Sequence, residues 1–365
     1  MPEIEKPARI ILEDGTEFEG TAFGHESSVS GEIVFYTGSA GIPQLLSDPA
    51  LKGLILVLAQ PGTGTTGIPE ESLDELGLES SFESSSAQVA GLIVSSYSEE
   101  PSHYSARYSL SRWLRRQQVP AISGIDTRAL IQRLRLRGTM RAKILVSDTK
   151  DVSFSSANLH NQTLQLSTKR VVRYGTGAKK IIAVDCGIKN STIRALVTPE
   201  TTVIRVPCNY DYTKEEFDGL CIAGGPGDPT SCEKTIAVLK SALALKKPVF
   251  AVGQGAVILA LAGGASAFRM AQGHRSASVP CINLENGRCY ITSQNHGYGI
   301  RDDSLPAGWY PTFLNNTDNS LEGFAAAKGL ISGVLFQSEG HPGPQDTEFL
   351  YTNFISLVRN GGTLS

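Results

Sequence analysis

The sequence predicts an α/β protein of two domains, and three observations predict it. A length of 365 residues is enough for two separate hydrophobic cores. Residues 151–178 are polar, serine-rich and without periodicity, which marks a linker between a domain at 1–150 and a second at 179–360. Beyond the linker, apolar runs of strand length alternate with helix-type runs, the pattern of a parallel sheet covered on both faces.

In the first domain, residues 9–17 read as strand, Asp14-Gly15 turn and strand, a hairpin signal. Further strands are expected at 31–37, 54–58, 89–94 and 120–125. Helices are expected at 109–116, with Leu110, Trp113 and Leu114 on one face, and from Asp126 onward, with Asp126 as N-cap. The basic run Arg133-Leu134-Arg135-Leu136-Arg137, with Arg141 and Lys143, reads as a solvated helix end. These elements describe a compact α/β unit with several hairpins.

In the second domain the expected order is strand 180–185, helix 189–197, strands 202–206 and 219–223, helix 233–245, strand 248–252 and helix 256–267. Arg288–Ile291, after the Asn286-Gly287 turn, and Leu330–Phe336 read as hairpin strands added to that sheet.

Composition narrows the function. Lysine and arginine total 33 against 36 acidic residues, a net charge of -3, so no nucleic-acid partner is expected. No apolar run approaches the length of a membrane span, and the opening residues lack the apolar core of a signal peptide, so no membrane association is expected and the cytoplasm is the expected compartment. The six cysteines form no CxxC and read as buried thiols in a reducing environment. The histidines lack metal-ligand spacing, so neither a metal nor a cofactor is expected.

Two glycine-rich turns follow apolar strands. Ala223-Gly224-Gly225-Pro226-Gly227 ends one, where backbone N–H groups could face an anion or a developing oxyanion. Val252-Gly253-Gln254-Gly255 ends another and opens a helix. In α/β enzymes such a corner holds a nucleophile above the sheet; here its residue is Gly253.

Nearly the whole chain resembles the small, glutamine-amidotransferase subunit of carbamoyl-phosphate synthetase, and the matching N-terminal region of the fused pyrimidine-pathway protein of eukaryotes. The motifs that carry the resemblance include Leu12-Glu13-Asp14-Gly15, Gly31-Glu32-Ile33-Val34-Phe35, Gly124-Ile125-Asp126-Thr127-Arg128, Val184-Asp185-Cys186-Gly187-Ile188-Lys189-Asn190, Gly225-Pro226-Gly227-Asp228-Pro229, Gln294-Asn295-His296-Gly297 and Glu322-Gly323. The resemblance implies an N-terminal α/β domain of the synthetase small-subunit type, followed by a class I amidotransferase-like parallel-sheet domain. The family's Gly-x-Cys-x-Gly-His-Gln motif stands here as Ala251-Val252-Gly253-Gln254-Gly255-Ala256-Val257, and its Phe-His-Pro-Glu as Phe336-Gln337-Ser338-Glu339. Covalent acyl transfer needs a thiolate and a base, and neither glycine nor glutamine supplies one.

The expectation is therefore a non-hydrolytic pseudo-glutaminase acting as a partner or regulatory subunit. Its alternative is a small-molecule biosynthetic enzyme that reuses the cleft for acid–base or cyclisation chemistry without a thioester. The candidate catalytic residues are Glu339, His341 and Gln337, with Gly253 at the nucleophile position. Gly225, Gln254, Gly255, Asn295 and His296 are the candidate substrate-binding residues. Expected partners are a synthetase-like large subunit or a second copy of the chain, with a small molecule as ligand.

Overall fold

Asp14 accepts a hydrogen bond from the Thr16 amide at 3.0 Å, and Gly15 takes a positive φ of 84°, so the chain reverses tightly. That turn joins β1 (Lys6–Leu12) to β2 (Glu17–Ala22), as the sequence predicts. The computed structural model describes residues 6–39, 41–155 and 162–362. By its internal contacts the chain divides into two units between residues 160 and 161.

The first unit continues with β3 (Val29–Tyr36), β4 (Leu54–Leu58), β5 (Gly91–Ile93), β6 (Ala121–Ser123) and β7 (Met140–Val146). These strands close on themselves in the order β1-β2-β6-β5-β4-β3-β7. The expected unit of separate hairpins is thus a closed barrel. Closure depends on β7 pairing with both β1 and β3, far apart in sequence, which local pattern does not reveal. The basic run is split accordingly: Arg133–Arg137 end a helix, whereas Arg141 and Lys143 stand on β7.

Ile10, Leu12, Ile33, Ile55, Val57, Ile93, Ile122 and Ile144 of the barrel strands form one buried core with Leu130 and Leu134. Each such side chain contributes roughly 1.5–3 kcal/mol by burial. Helices α1 (Ile42–Leu46), α2 (Leu110–Arg116) and α3 (Thr127–Arg137) complete the unit. Asp126 caps α3 by accepting from the Ala129 amide at 2.9 Å.

The second unit opens with α4 (Gln162–Leu166) and β8 (Val172–Tyr174), both inside the stretch expected as linker. Residues 156–161 of that stretch lie outside the described residues. Then come β9 (Lys179–Asp185), α5 (Asn190–Leu196), β10 (Thr201–Pro207), β11 (Gly219–Ile222), α6 (Glu233–Leu243), β12 (Val249–Val252) and α7 (Gln254–Gly263). After α7 the chain forms β13 (Ala267–Asn283), β14 (Cys289–Ile300), β15 (Trp309–Asn315), β16 (Leu321–Ala326) and β17 (Ile331–Val334), and ends with α8 (Phe349–Arg359).

All ten strands share one sheet, ordered β14-β13-β15-β16-β17-β12-β11-β9-β10-β8. From β17 to β10 it is parallel, and β11 and β12 are buried along their whole length. β13 to β16 form an antiparallel extension. The second expected hairpin strand is therefore an interior one: β17 pairs parallel with β12 and antiparallel with β16. Among the described residues no helix is long and apolar enough to cross a membrane.

Candidate functional site

The parallel strands deliver their carboxyl ends to one edge, where ligand sites form in open α/β sheets. At the end of β9, the Asp185 carboxylate accepts from the Gly187 amide at 2.9 Å and the Ile188 amide at 2.8 Å. Arg205, on β10, clamps the other oxygen at 2.6 Å. This folds the chain into a turn that carries Lys189 to the start of α5 with its side chain buried.

The Lys189 ammonium lies 3.0 Å from Oε1 of Glu339. It also donates to Gln337 Oε1 at 3.2 Å and to the His341 carbonyl. Thr192 Oγ1 is 3.4 Å from the same Glu339 oxygen, and the Tyr351 hydroxyl donates to Oε2 at 3.2 Å. Tyr351 belongs to α8, and its ring meets Phe250 of β12 edge-on, with centroids 5.2 Å apart. Burial, and next the charge of Glu339, push the Tyr351 phenol well above its ordinary pKa, so it remains a donor. Glu339 is thus a buried acceptor engaged on both oxygens.

On the neighbouring strand ends, Gly253 forms the corner between β12 and α7 with φ 57° and ψ −131°, and its amide donates to the Val334 carbonyl of β17 at 2.9 Å. A Cβ at Gly253 would meet Gly224 Cα at 3.5 Å, an ordinary contact. One at Gly225 would lie 1.6 Å from the Cys186 carbonyl oxygen. The glycine-rich turn after β11 therefore packs directly on the turn after β9 and beside the Gly253 corner. Gly255 is equally tight, its Cβ position lying 2.2 Å from the Ile222 carbonyl oxygen. Gln254 is buried, and its amide nitrogen has no hydrogen-bond partner among the described residues.

The nine residues singled out in the sequence are not gathered into one place. Gln337 and Glu339 join the Lys189 network, Gly225 and Gly253 flank the adjoining corner, and Gln254 and Gly255 open α7. Gln337 also receives β14 through its amide, which donates to Ser293 O at 2.8 Å. His341 is exposed and contributes its carbonyl. Asn295 pairs with Arg275 across the β14–β13 ladder. His296 lies in a separate cluster with His274 and Glu322.

Lys189, Thr192 and Tyr351 were not among the residues singled out. Lys189 could have been: a lysine just past a buried parallel strand and an Asp-x-Gly turn sits at the sheet's functional edge. None of the five buried thiols occupies the corner; Cys221, on β11, has its thiol pushed up by burial and by Glu339.

Residues 10–144 match the carbamoyl-phosphate synthase small chain, CPSase domain, and residues 182–357 match glutamine amidotransferase class-I. The chain belongs to the carbamoyl-phosphate synthase small-chain family. It is 45% identical over 360 residues, 98% of its length, to carbamoyl-phosphate synthase (ammonia), mitochondrial, of Mus musculus, and 45% identical over 97% of its length to the Homo sapiens protein of that name. To the multifunctional protein pyr1-3 of Dictyostelium discoideum it is 42% identical, again over 97% of the chain. It spans 24% of the two mammalian proteins and 17% of the third.

This likeness overturns the expected pseudo-glutaminase and its repurposed alternative. Relatives at 40–45% identity across nearly the whole chain are carbamoyl-phosphate synthases and multifunctional fusions, and both domains match their families. None of these matches marks a pseudoenzyme. A glycine at one corner and a glutamine at one strand end are local observations; they do not outweigh agreement that runs through both cores.

Proposed function

We propose that the chain works in carbamoyl-phosphate synthesis as the small-chain region of a synthase, together with a synthetase-like chain, and that ammonia is the nitrogen that reaches that chain. The observation that carries this reading is 45% identity over 98% of the chain to a protein named carbamoyl-phosphate synthase (ammonia). The edge of the second sheet suits a small polar ligand: a glycine corner, close-packed glycine turns and a Gln254 amide nitrogen without a partner among the described residues stand beside the buried Lys189–Glu339 pair.

The test mixes the purified chain with a synthetase large chain of the same family and measures carbamoyl phosphate from bicarbonate and ATP. Ammonium and glutamine are supplied in separate arms. The reading expects a stable complex and faster synthesis from ammonium than the large chain achieves alone. Absence of both complex and stimulation overturns it, and stimulation confined to glutamine overturns the assignment of free ammonia.

The names of the two mammalian relatives place those proteins in mitochondria. The cytoplasm remains the proposal for this chain, and fractionation of the native source tests it. Six free cysteines suit a reducing compartment.

A further inference from the structure

The antiparallel extension holds a cluster that the synthase reading does not use. His274 on β13 and His296 on β14 are direct cross-strand partners, and their rings meet edge-on with centroids 5.1 Å apart. Glu322, at the start of β16, points its carboxylate between them and is fully buried. The available ligand atoms of these three residues all lie within 4.8 Å of one another. The residues stand 22 and 26 positions apart in sequence (296 − 274 and 322 − 296), so no motif spacing announces them.

The tautomer of His296 is the telling detail. Its Nδ1 lies 2.9 Å from the Tyr298 carbonyl, an acceptor that must be met by an N–H. In the neutral ring, Nε2 then carries a bare lone pair. That atom is buried and has no hydrogen-bond partner among the described residues. It faces Glu322 Oε2, equally buried and equally without a hydrogen bond among the described residues, at 3.4 Å, an ion pair only if His296 is protonated. Two acceptors aimed at each other at that separation need a proton on one of them or a cation between them. Two ligand atoms on a tetrahedral zinc ion, with bonds of about 2.0–2.2 Å, stand about 3.4 Å apart.

His274 presents its Nδ1 2.8 Å from Glu322 Oε1 and its Nε2 2.9 Å from Asp318. Asn315 supports Glu322 Oε1 at 3.2 Å. Both histidines therefore have the far ring nitrogen fixed by an oxygen acceptor, a carbonyl for His296 and a carboxylate for His274. This is how metal-ligating histidines are oriented. His274 Nδ1 is the third candidate ligand atom, beside Glu322 Oε1.

We propose that His274, His296 and Glu322 form a binding site for a divalent transition ion of the zinc type, with Asp318 and the Tyr298 carbonyl orienting the two histidines. Two imidazoles and one carboxylate suit a borderline ion such as zinc better than magnesium or calcium, which prefer oxygen cages. Three protein ligands leave a fourth position for water.

The test takes the full chain carrying Cys289→Ser, which removes the exposed thiol, strips it with chelator and titrates it with Zn²⁺ and, in parallel, with Co²⁺ as a spectroscopic probe. The expected result is one ion per chain, cobalt bands of a four- or five-coordinate site without a thiolate charge-transfer band, and zinc-edge absorption showing nitrogen and oxygen neighbours only. Glu322→Gln and His296→Gln should each lose that binding, and Asp318→Asn should weaken it at least about tenfold. Circular dichroism reports whether each variant folds; the zinc-edge spectrum of the Cys289→Ser chain needs none of the ligand variants. Failure to bind one ion, sulfur in the coordination shell, or folded Glu322→Gln and His296→Gln variants that bind unchanged would overturn the site.

Discussion

Lys189 Nζ lies 3.0 Å from Glu339 Oε1, with the two side chains 7% and 3% exposed, so an ion pair closed off from water ties the turn after β9 to the segment after β17. Removing one partner of such a pair strands the other charge in a medium that solvates it poorly. Lys189→Met is expected to lower the unfolding free energy by about 3–5 kcal/mol. Lys189→Met combined with Glu339→Leu should recover a large part of that loss. Urea unfolding of the four proteins of the cycle checks this, and additive single-site effects would show that the pair is not coupled.

The glycines of the α7 corner should differ in what they tolerate. At Gly253 a side chain has room but the positive φ is strained, so Gly253→Ala should cost about 1–3 kcal/mol. At Gly255 a Cβ would lie 2.2 Å from the Ile222 carbonyl oxygen, so β11 and α7 must separate. Gly255→Ala should therefore lower the melting temperature more than Gly253→Ala does. The reverse order in a thermal melt would contradict the close packing of α7 on β11.

Asp218 gives the second unit a defined acid sensitivity. Burial pushes its pKa up, but the Lys180 amide at 2.9 Å and the Lys179 ammonium at 3.3 Å outweigh this and hold it below the ordinary 3.8. A carboxyl whose folded pKa is depressed contributes stability fully above its unfolded pKa and loses it as pH falls through the folded one. The contribution should thus be complete above about pH 5, fade below pH 4, and remain under about 1 kcal/mol because the pair is one-third exposed. Comparing Asp218→Asn with the native chain, the stability difference should shrink on acidification. A difference that stays constant down to pH 3 rules the contact out as its cause.

Thiol labelling should separate Cys289 from the other five cysteines. Cys289 is exposed, whereas Cys186, Cys208, Cys221, Cys232 and Cys281 are buried, and burial raises the pKa of each. Burial, followed by the charge of Glu322, takes Cys281 to about 12. A thiol reagent should modify one cysteine per native chain at neutral pH and six in denaturant. Rapid labelling of a second native thiol would contradict the packing described for β11 or β13.

The parallel half of the second sheet was legible because β9, β11 and β12 are buried on both faces and read as unbroken apolar runs. β13 was not. Its long polar segment, with Arg269, Gln272, His274 and Arg275, alternates poorly and is bent by register shifts after Arg269 and Ser276. The barrel was hidden for a different reason: its closing strand, β7, falls in the basic run read as a helix end, and its pairing with β1 and β3 is not local. At the site, Gly253, Gln337 and Glu339 could be placed by motif. Lys189 could be placed at the sheet's edge by the Asp-x-Gly turn before it, but its pairing with Glu339 could not, because the two are distant in sequence, and the facing of His296 and Glu322 depends likewise on strand pairing.

The closed order of the first unit's strands has a consequence for how a partner can hold this chain. A barrel has no unpaired strand edge, so among its described residues the first unit's barrel offers no row of free backbone donors and acceptors to a visiting segment. The second unit's sheet is open, with β14 at one margin and β8 at the other. Among the described residues, strand addition is available only there. A partner gripping the first unit must recognise side chains and loops, so changes on that surface should alter its choice of partner while leaving the backbone ladder intact.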